Sequence, residues 1–314
     1  MDRTYEHITE FSGLPVVDWE PDMPLEEASR KAYRLSLSWE ETEQKVRWTD
    51  KLAVFLSNPA SREVIALLVG PWGEVATGED DATRVVEALV SARDQLPALS
   101  ALFLGEIIAE ESEISWIQQS DVAPLLAAYP RLEEFWVRGG NNLSFGKLRH
   151  DRLKKLVVQS GGLPRGVVHQ IVTAALPNVE HLEIWLGVED YGGDAGVEDL
   201  APLFSGQIFP RLEYLGLRDC AIVDDVARAI ADAPVLDRVK VLDLSLGTLT
   251  DSGAEALLAG SRIRQLKKLD LHYHYCSQEI VEKLKQIPIE IDAGDPQNED
   301  QYHGEVYRYV AVSE

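Results

Sequence analysis

A short apolar pattern recurs along the chain, and it constrains the fold more than any other feature of the sequence. Each copy has an apolar residue, two variable residues, an apolar residue, one variable residue and a further apolar residue. The alternation of the last two apolar positions is typical of a β-strand, and self-similarity at such a spacing is typical of repeat proteins. A weaker copy precedes the complete ones at Leu35 and Leu37, and another follows at Ile289 and Ile291. The central apolar residues of the eight complete copies lie 21 to 35 residues apart, at Leu67, Leu102, Phe135, Leu156, Leu182, Leu215, Leu242 and Leu269.

Helical patterns lie between the strand copies. Val168, Ile171 and Val172, for example, have the spacing that places side chains on one face of a helix. A unit of strand, turn, helix and turn predicts parallel strands with helices on one side. Such a unit buries its apolar face only by stacking on its neighbours. The predicted fold class is therefore an α/β solenoid shaped as a horseshoe, with parallel strands on the concave face and helices on the convex face.

Two stretches carry a resemblance to known proteins. Residues 212–222 read L-E-Y-L-G-L-R-D-C-A-I, and residues 249–258 follow them as the next helical segment. From about residue 34 to 292 the chain resembles leucine-rich-repeat proteins of the ribonuclease-inhibitor-like type, which implies a leucine-rich-repeat solenoid and protein binding. The chain also resembles a bacterial leucine-rich-repeat family of unassigned function, in residues 113–121 and 308–312, and that resemblance implies no activity.

The repeats divide the chain into three predicted regions. Residues 1–59 are predicted to form an N-terminal cap, which includes a first atypical repeat and a helix near residues 41–56. Residues 60–292 are the leucine-rich repeats. Residues 293–314 are predicted to be an acidic linker and a C-terminal capping strand at 306–312, which covers a sheet edge or the last helix. In the alternative interpretation, this tail binds a partner.

The variable residue between the last two apolar positions points to the concave face, because side chains alternate along a strand. This central row is apolar in the N-terminal half and acidic in the C-terminal half. Exposed apolar patches mark interfaces, and Trp and Arg are enriched at binding hot spots. In the alternative interpretation, the cap or an insert covers the aromatic residues, which then belong to the core. The central row comprises Ser36, Leu68, Phe103, Trp136, Val157, Glu183, Gly216, Asp243, Asp270 and Glu290. The row next to it includes Arg138, Trp185, Arg218 and His272.

Two long inserts follow strands and contain no Lys or Arg, at residues 105–121 and 186–199. Long loops on a rigid scaffold are frequently functional, although acidic loops also serve solubility alone. The predicted partner-binding surface has Trp136, Trp185 and Arg138 near its centre, and Glu110, Glu111 and Glu113 at its rim. Its other residues are Phe103, Glu183, Arg218, Asp243, Asp270 and His272.

The sequence contains no phosphate-binding loop, zinc-spaced Cys/His set or Gly-x-Ser-x-Gly nucleophile motif. No catalytic residue, cofactor or metal ligand is predicted, and the chain is not expected to be an enzyme. The alternative hypothesis is a metal-dependent enzyme or small-ligand binder that uses Asp243, Asp270 and His272. Asp243 and Asp270 are expected to be neighbours, so they need a nearby cation such as Arg218 or Lys268.

The charge balance narrows the choice of partner. Lys and Arg number 30 against 53 Asp and Glu, which gives a net charge of −23. This excess disfavours nucleic acid and anionic membrane surfaces, both of which require basic footprints. Without an apolar membrane span, a leader sequence or a disulfide framework, the expected location is the cytoplasm. The leading hypothesis is a protein-interaction module that binds a partner with a basic patch through its concave face and acidic edge loops.

Overall fold

The computed structural model describes residues 4–313. The chain forms two compact units, residues 4–159 and residues 160–313. The division between residues 159 and 160 lies within the predicted leucine-rich repeats, residues 60–292, where no domain boundary is expected from the sequence. Each unit has a mixed α/β fold in which most strand pairs are parallel.

The first unit is built on a ladder of strands paired in chain order. β1 and β2 are antiparallel, and the other adjacent pairs are parallel. Leu67, Leu102, Phe135 and Leu156 lie opposite one another in this ladder, which confirms the predicted register for these copies. The strands are β1 (Glu10–Phe11), β2 (Leu14–Asp18), β3 (Ala32–Leu35), β4 (Ala66–Val69), β5 (Ala101–Leu104), β6 (Glu134–Arg138) and β7 (Lys155–Gln159). The α-helices are α1 (Trp39–Glu43), α2 (Trp48–Ser57), α3 (Thr83–Ser91) and α4 (Ala123–Ala128).

The N-terminal region differs from its predicted structure in two places. The helix predicted near residues 41–56 is divided into α1 and α2, and between them Lys45 has a positive φ of 59°, which ordinary helical backbone does not adopt. The weak copy at Leu35 is displaced by two residues, because Leu35 pairs with Val69. Arg34, not Ser36, therefore occupies the central row on β3.

Both faces of the first unit's sheet are apolar. The repeating apolar side chains are buried on one face, where Trp48 and Phe55 of α2 also belong to the core. The indole nitrogen of Trp48 donates to the carbonyl of Leu35 at 2.9 Å. Because side chains alternate along a strand, the central row lies on the other face. Its apolar members form a second buried cluster with their neighbours: Phe11, Ala32, Ala66, Leu68, Ala101, Phe103, Trp136 and Val157.

The second unit repeats the pattern with five parallel strands. Leu182, Leu215, Leu242 and Leu269 lie in register, so the predicted parallel pairing is confirmed. Helices follow the strands, and the last three pack side by side. The strands are β8 (His181–Gly187), β9 (Tyr214–Cys220), β10 (Val241–Asp243), β11 (Lys268–Asp270) and β12 (Glu290–Asp292). The α-helices are α5 (Arg165–Val172), α6 (Ala201–Phe204), α7 (Val223–Ile230), α8 (Asp251–Ala259) and α9 (Gln278–Leu284).

The end of the second unit also departs from the predicted pattern. Ile291 pairs with Leu269, so Asp292 rather than Glu290 lies beside Asp270 in the central row. After β12, the strands β13 (Asp300–Tyr302) and β14 (Glu305–Tyr307) form an antiparallel hairpin. The C-terminal strand predicted at 306–312 is shorter than expected, because β14 ends at Tyr307 and the described residues after it are not in a strand.

Candidate functional site

The aromatic residues of the first unit are buried beneath the N-terminal segment. Phe103 and Trp136 are 0% and 5% exposed, respectively. Phe11 on β1 packs against both, with its ring centroid 6.1 Å from that of Phe103 and 5.8 Å from that of Trp136. The prediction that these two residues form an exposed patch is therefore wrong. The alternative, that the cap covers them, is confirmed.

An ionic cluster holds this N-terminal strap, residues 4–11, against the sheet. Glu106, which is fully buried, accepts hydrogen bonds from the Ile8 amide at 3.0 Å and pairs with His7 at 2.9 Å. The guanidinium of Arg34 lies 2.6 Å from Glu106 and donates to the Ile8 carbonyl at 2.7 Å. Hydrogen bonds with Glu106 and then Glu111 raise the pKa of His7 to about 9, against the opposing effect of burial. The imidazolium is therefore the favoured form at neutral pH, and it supports the strap.

Arg138 is also buried, which contradicts its predicted place on an accessible surface. Its Nε donates to Oε1 of Gln159 at 2.9 Å, and its Nη1 donates to the Ile107 carbonyl. The guanidinium lies over the Phe103 ring, 5.4 Å from its centroid. Arg138 thus connects the sheet to the start of the first insert.

The carboxylates of the first insert have different environments. Glu110 and Glu113 are exposed, in agreement with a position at a rim. Glu111 turns back to the strap, where it lies 3.3 Å from His7 and accepts from the Ile108 amide at 3.1 Å. In this insert, Glu110 and Glu113 are therefore the predicted rim residues that a partner could reach directly.

The second unit carries a series of carboxylates on its central row, and we call these four residues the acidic row. Glu183, Asp243, Asp270 and Asp292 occupy equivalent positions on β8, β10, β11 and β12. Gly216 holds this position on β9. A Cβ at Gly216 would lie 3.1 Å from both Glu183 Cγ and Tyr214 Cε1. Because Gly216 has no side chain, the side chains of Glu183 and Tyr214 have space to approach each other.

Glu183 accepts hydrogen bonds from several side chains. The Trp185 indole nitrogen donates at 2.8 Å and Arg218 Nη1 donates at 3.1 Å, both to Oε1. Burial alone would raise the pKa of Glu183, but the Arg218 charge and the hydrogen bonds from His181 and Trp185 hold it well below its usual range. Trp185 is itself buried beside Arg218, so its predicted exposure is also wrong. It positions the Glu183 carboxylate.

Asp243 shares the cation that binds Glu183. Arg218 Nε lies 3.3 Å from Asp243 Oδ2, and the Tyr214 hydroxyl donates to the same oxygen at 2.6 Å. The Tyr214 ring stacks on His181 with its centroid 3.8 Å away. The predicted need for a cation near Asp243 is therefore met by Arg218.

Asp270 has its own pair of basic neighbours. His272 Nδ1 lies 2.6 Å from Asp270 Oδ1, and Lys268 Nζ lies 2.9 Å from Oδ2. Burial would raise the pKa of Asp270, but the hydrogen bonds from His272 and Lys268 hold it well below its usual range. Lys268 thus supplies the cation that the sequence analysis expected for this carboxylate.

The metal-like group of the alternative hypothesis differs from the predicted set. Asp270 and His272 are joined by Asp292 rather than Asp243, with one potential ligand atom from each within 4.8 Å of the others. However, Lys268 Nζ lies between the carboxylates, 2.9 Å from Asp270 and 3.7 Å from Asp292. This internal ammonium already provides the positive charge that a cation would bring.

Two members of this site, Asp292 and Tyr214, are absent from the predicted surface. Asp292 was displaced from the row by the two-residue error in the last copy. Tyr214 precedes the central position of its strand, and no pattern marks its hydroxyl as the group that joins Glu183 and Asp243. The aromatic ring two positions before a Gly in the row was the available signal, because the two residues share a face of the strand and such a Gly leaves space above the sheet.

A solved structure from Bacteroides fragilis resembles this chain closely. The two are 35% identical and superpose with a TM-score of 0.80, over 89% of this chain and 76% of that chain. The chain belongs to the family of this Bacteroides fragilis protein. The relative is a bacterial protein, which agrees with the predicted bacterial origin.

Other comparisons add little. An internalin from Listeria monocytogenes is 16% identical, with a TM-score of 0.40, over 76% of this chain and 55% of the internalin chain. A likeness of that degree supports no conclusion about this protein. No protein-family model and no curated protein sequence matches the chain. Within residues 4–313, none of the helices has the length and apolar character needed to span a membrane.

Proposed function

We propose that the protein is a non-catalytic interaction module that binds a basic patch on a protein partner through the acidic row of its second unit. The observation that carries the proposal is the register of Glu183, Asp243, Asp270 and Asp292 on one face of neighbouring strands. Four carboxylates face two permanently charged cations, Arg218 and Lys268, in the described part of the chain. The row therefore keeps an excess of negative charge.

The members of the row contribute in different ways. Asp292 has a side chain that is 44% exposed, and its neighbour Glu290 is more exposed still, so both can contact a partner directly. Glu183, Asp243 and Asp270 are nearly buried and rigidly hydrogen-bonded. They add a fixed negative field, which steers a basic partner and selects against an acidic one.

The absence of catalysis is part of the proposal. Burial raises the pKa of Cys220 and of Cys276 to about 12, so neither thiol supplies a thiolate nucleophile at neutral pH. The basic neighbours of Glu183 and Asp270 hold the pKa of each carboxyl well below its usual range, which makes these two poor general acids. Ribonuclease-inhibitor-like repeats, a horseshoe shape, a cytoplasmic location and the rim role of Glu110 and Glu113 remain predictions.

The test compares binding by two charge-neutralised variants. Asp292→Asn combined with Glu290→Gln removes two accessible charges at the end of the row. Glu255→Gln combined with Glu282→Gln removes two exposed charges from α8 and α9. Each protein is used as bait in the native lysate, and captured partners are identified by mass spectrometry and then titrated individually.

A partner with a basic patch is expected to bind the wild type and the helix variant with equal affinity. The row variant should lose about tenfold in affinity at low salt, and the difference should shrink as salt screens the charges. Equal binding by the row and helix variants, or a preference for acidic partners, would contradict the proposal.

A further inference from the structure

The C-terminal hairpin exposes apolar and aromatic side chains. Every residue of β13 and β14 is exposed, and Tyr302 and Val306 are 66% and 47% accessible. An isolated two-stranded hairpin has little stability in water by itself. Tyrosine is enriched at binding hot spots, so a hairpin that keeps Tyr302 and Tyr307 in solvent has the composition of an interface rather than of a solubilising loop.

The segments on both sides of the hairpin are fastened to the second unit. Before it, the Gln297 amide donates to the His274 carbonyl at 2.7 Å. After it, the Tyr309 amide donates to the Tyr275 hydroxyl at 2.9 Å. Further on, the Val312 amide donates to a carboxylate oxygen of Asp219 at 2.9 Å, and Val312 is buried. The hairpin is therefore presented from two fixed points.

The backbone of the hairpin leaves hydrogen-bonding groups directed outwards. His303 and Gly304 both have positive φ, 51° and 84°, as in the two-residue turns that join hairpin strands. The closing pair next to such a turn exchanges hydrogen bonds, and the following pair does not. That following pair is Gln301 and Val306, so their amide and carbonyl groups point to the two outer edges. Such edges accept an additional strand.

One face of the hairpin is suited to a cationic segment. Strand alternation and the observed pairing place Asp300, Tyr302, Glu305 and Tyr307 on the same face. The Tyr307 hydroxyl donates to Glu305 at 2.7 Å. The nearby Arg308 is paired with Glu299. Carboxylates alternating with tyrosine rings attract Lys or Arg side chains by charge and by cation–π contact.

We propose that this hairpin is a second docking surface, separate from the acidic row, which receives an extended lysine-rich segment of a partner protein as a third strand. The main-chain groups of Gln301 or Val306 would supply the pairing. The tyrosine and carboxylate face would select cationic side chains. This is recognition by β-strand addition, in which backbone bonds give affinity and alternate side chains give specificity.

The test titrates a fluorescent peptide of alternating valine and lysine against the full chain. Val306→Pro removes the outward amide on β14, and Gln301→Pro removes the one on β13, without removing a hydrogen bond between the strands. Val306→Thr keeps the amide and is the matched control. We expect saturable binding that falls at least about tenfold in one proline variant and is unchanged in Val306→Thr.

Side-chain variants test the selection for cationic residues. Tyr302→Ser combined with Tyr307→Ser should also weaken binding of the peptide. Trp39→Ser, which removes an exposed aromatic residue from α1, should not. A peptide with glutamate in place of lysine should not bind.

Three results would overturn the proposal: no saturable binding, equal binding by both proline variants and the wild type, or equal binding of a peptide with proline at alternate positions. If affinity instead falls in the Asp292→Asn, Glu290→Gln variant and not in the hairpin variants, the peptide occupies the acidic row. The hairpin proposal then fails while the proposed function stands. A loss of peptide affinity in the hairpin variants alone supports the hairpin proposal, whether or not the acidic row binds a partner.

Discussion

Removal of the Phe11 side chain should loosen the N-terminal strap and expose the aromatic cluster beneath it. Phe11 is almost completely buried and contacts the rings of Phe103 and Trp136. Burial of a Phe side chain contributes about 1.5–3 kcal/mol, and each aromatic pair adds about 0.5–1.5 kcal/mol. Phe11→Ala should therefore lower the free energy of unfolding by about 3–5 kcal/mol, in line with other buried Phe→Ala changes.

The loss of stability in Phe11→Ala cannot exceed the free energy needed to detach the strap, because a short segment can detach without global unfolding. If detachment of the strap costs less than the packing loss, the variant should be only slightly less stable to urea but should bind a dye specific for exposed apolar surface. The assay is urea unfolding together with dye binding, and Tyr5→Ala in the exposed part of the strap is the control. A loss below about 1 kcal/mol without increased dye binding would refute the conclusion that Phe11 covers the cluster.

Three further predictions concern stability. The pKa of His7 is raised from 6.5 to about 9 by Glu106, so its contribution to stability is complete below about pH 6.5 and is lost as pH rises through about 9. Urea unfolding of His7→Asn should lack this decline, and an unchanged pH profile would argue against the role of the ionic cluster. Gly216→Ala should lower the free energy of unfolding by about 1–3 kcal/mol, because the added methyl would crowd the side chains of Glu183 and Tyr214. An unchanged stability in thermal unfolding would show that these two side chains move aside freely. Leu242→Ala should cost about 2–5 kcal/mol in urea unfolding, because Leu242 is fully buried between neighbouring strands, and a loss like that of an exposed residue would contradict its place in the core.

The sequence was sufficient to predict the strands where the apolar pattern is strong. Leu67, Leu102 and the equivalent later residues pair as expected, because burial on one face specifies register. At the two ends the pattern has fewer leucines, and both Leu35 and Ile291 were placed two residues out of register. A displacement by two keeps the same faces inside and outside, so periodicity alone does not reveal it.

The candidate site could be predicted only in part, for a different physical reason. Alternation along a strand tells which face Trp136 lies on, but it does not tell whether another segment covers that face. The covering residue, Phe11, lies in a strand of two residues, which is too short to show any periodicity. Asp243 and Asp270 were identified because their charge departs from the apolar row that precedes them. The tyrosine that donates to Asp243 and the tryptophan that donates to Glu183 depend on side-chain reach, which a pattern does not encode.

The last strand of the ladder, β12, has a consequence for behaviour in concentrated solution. The terminal strand of a parallel ladder offers its outer edge to any other strand, including the same strand of another molecule. β12 is three residues long and carries Glu290 and Asp292, so two such edges brought together would oppose carboxylates. Amide side chains at these two positions would remove that repulsion. Glu290→Gln combined with Asp292→Asn should therefore favour pairwise association of otherwise folded molecules through this edge, which analytical ultracentrifugation would detect.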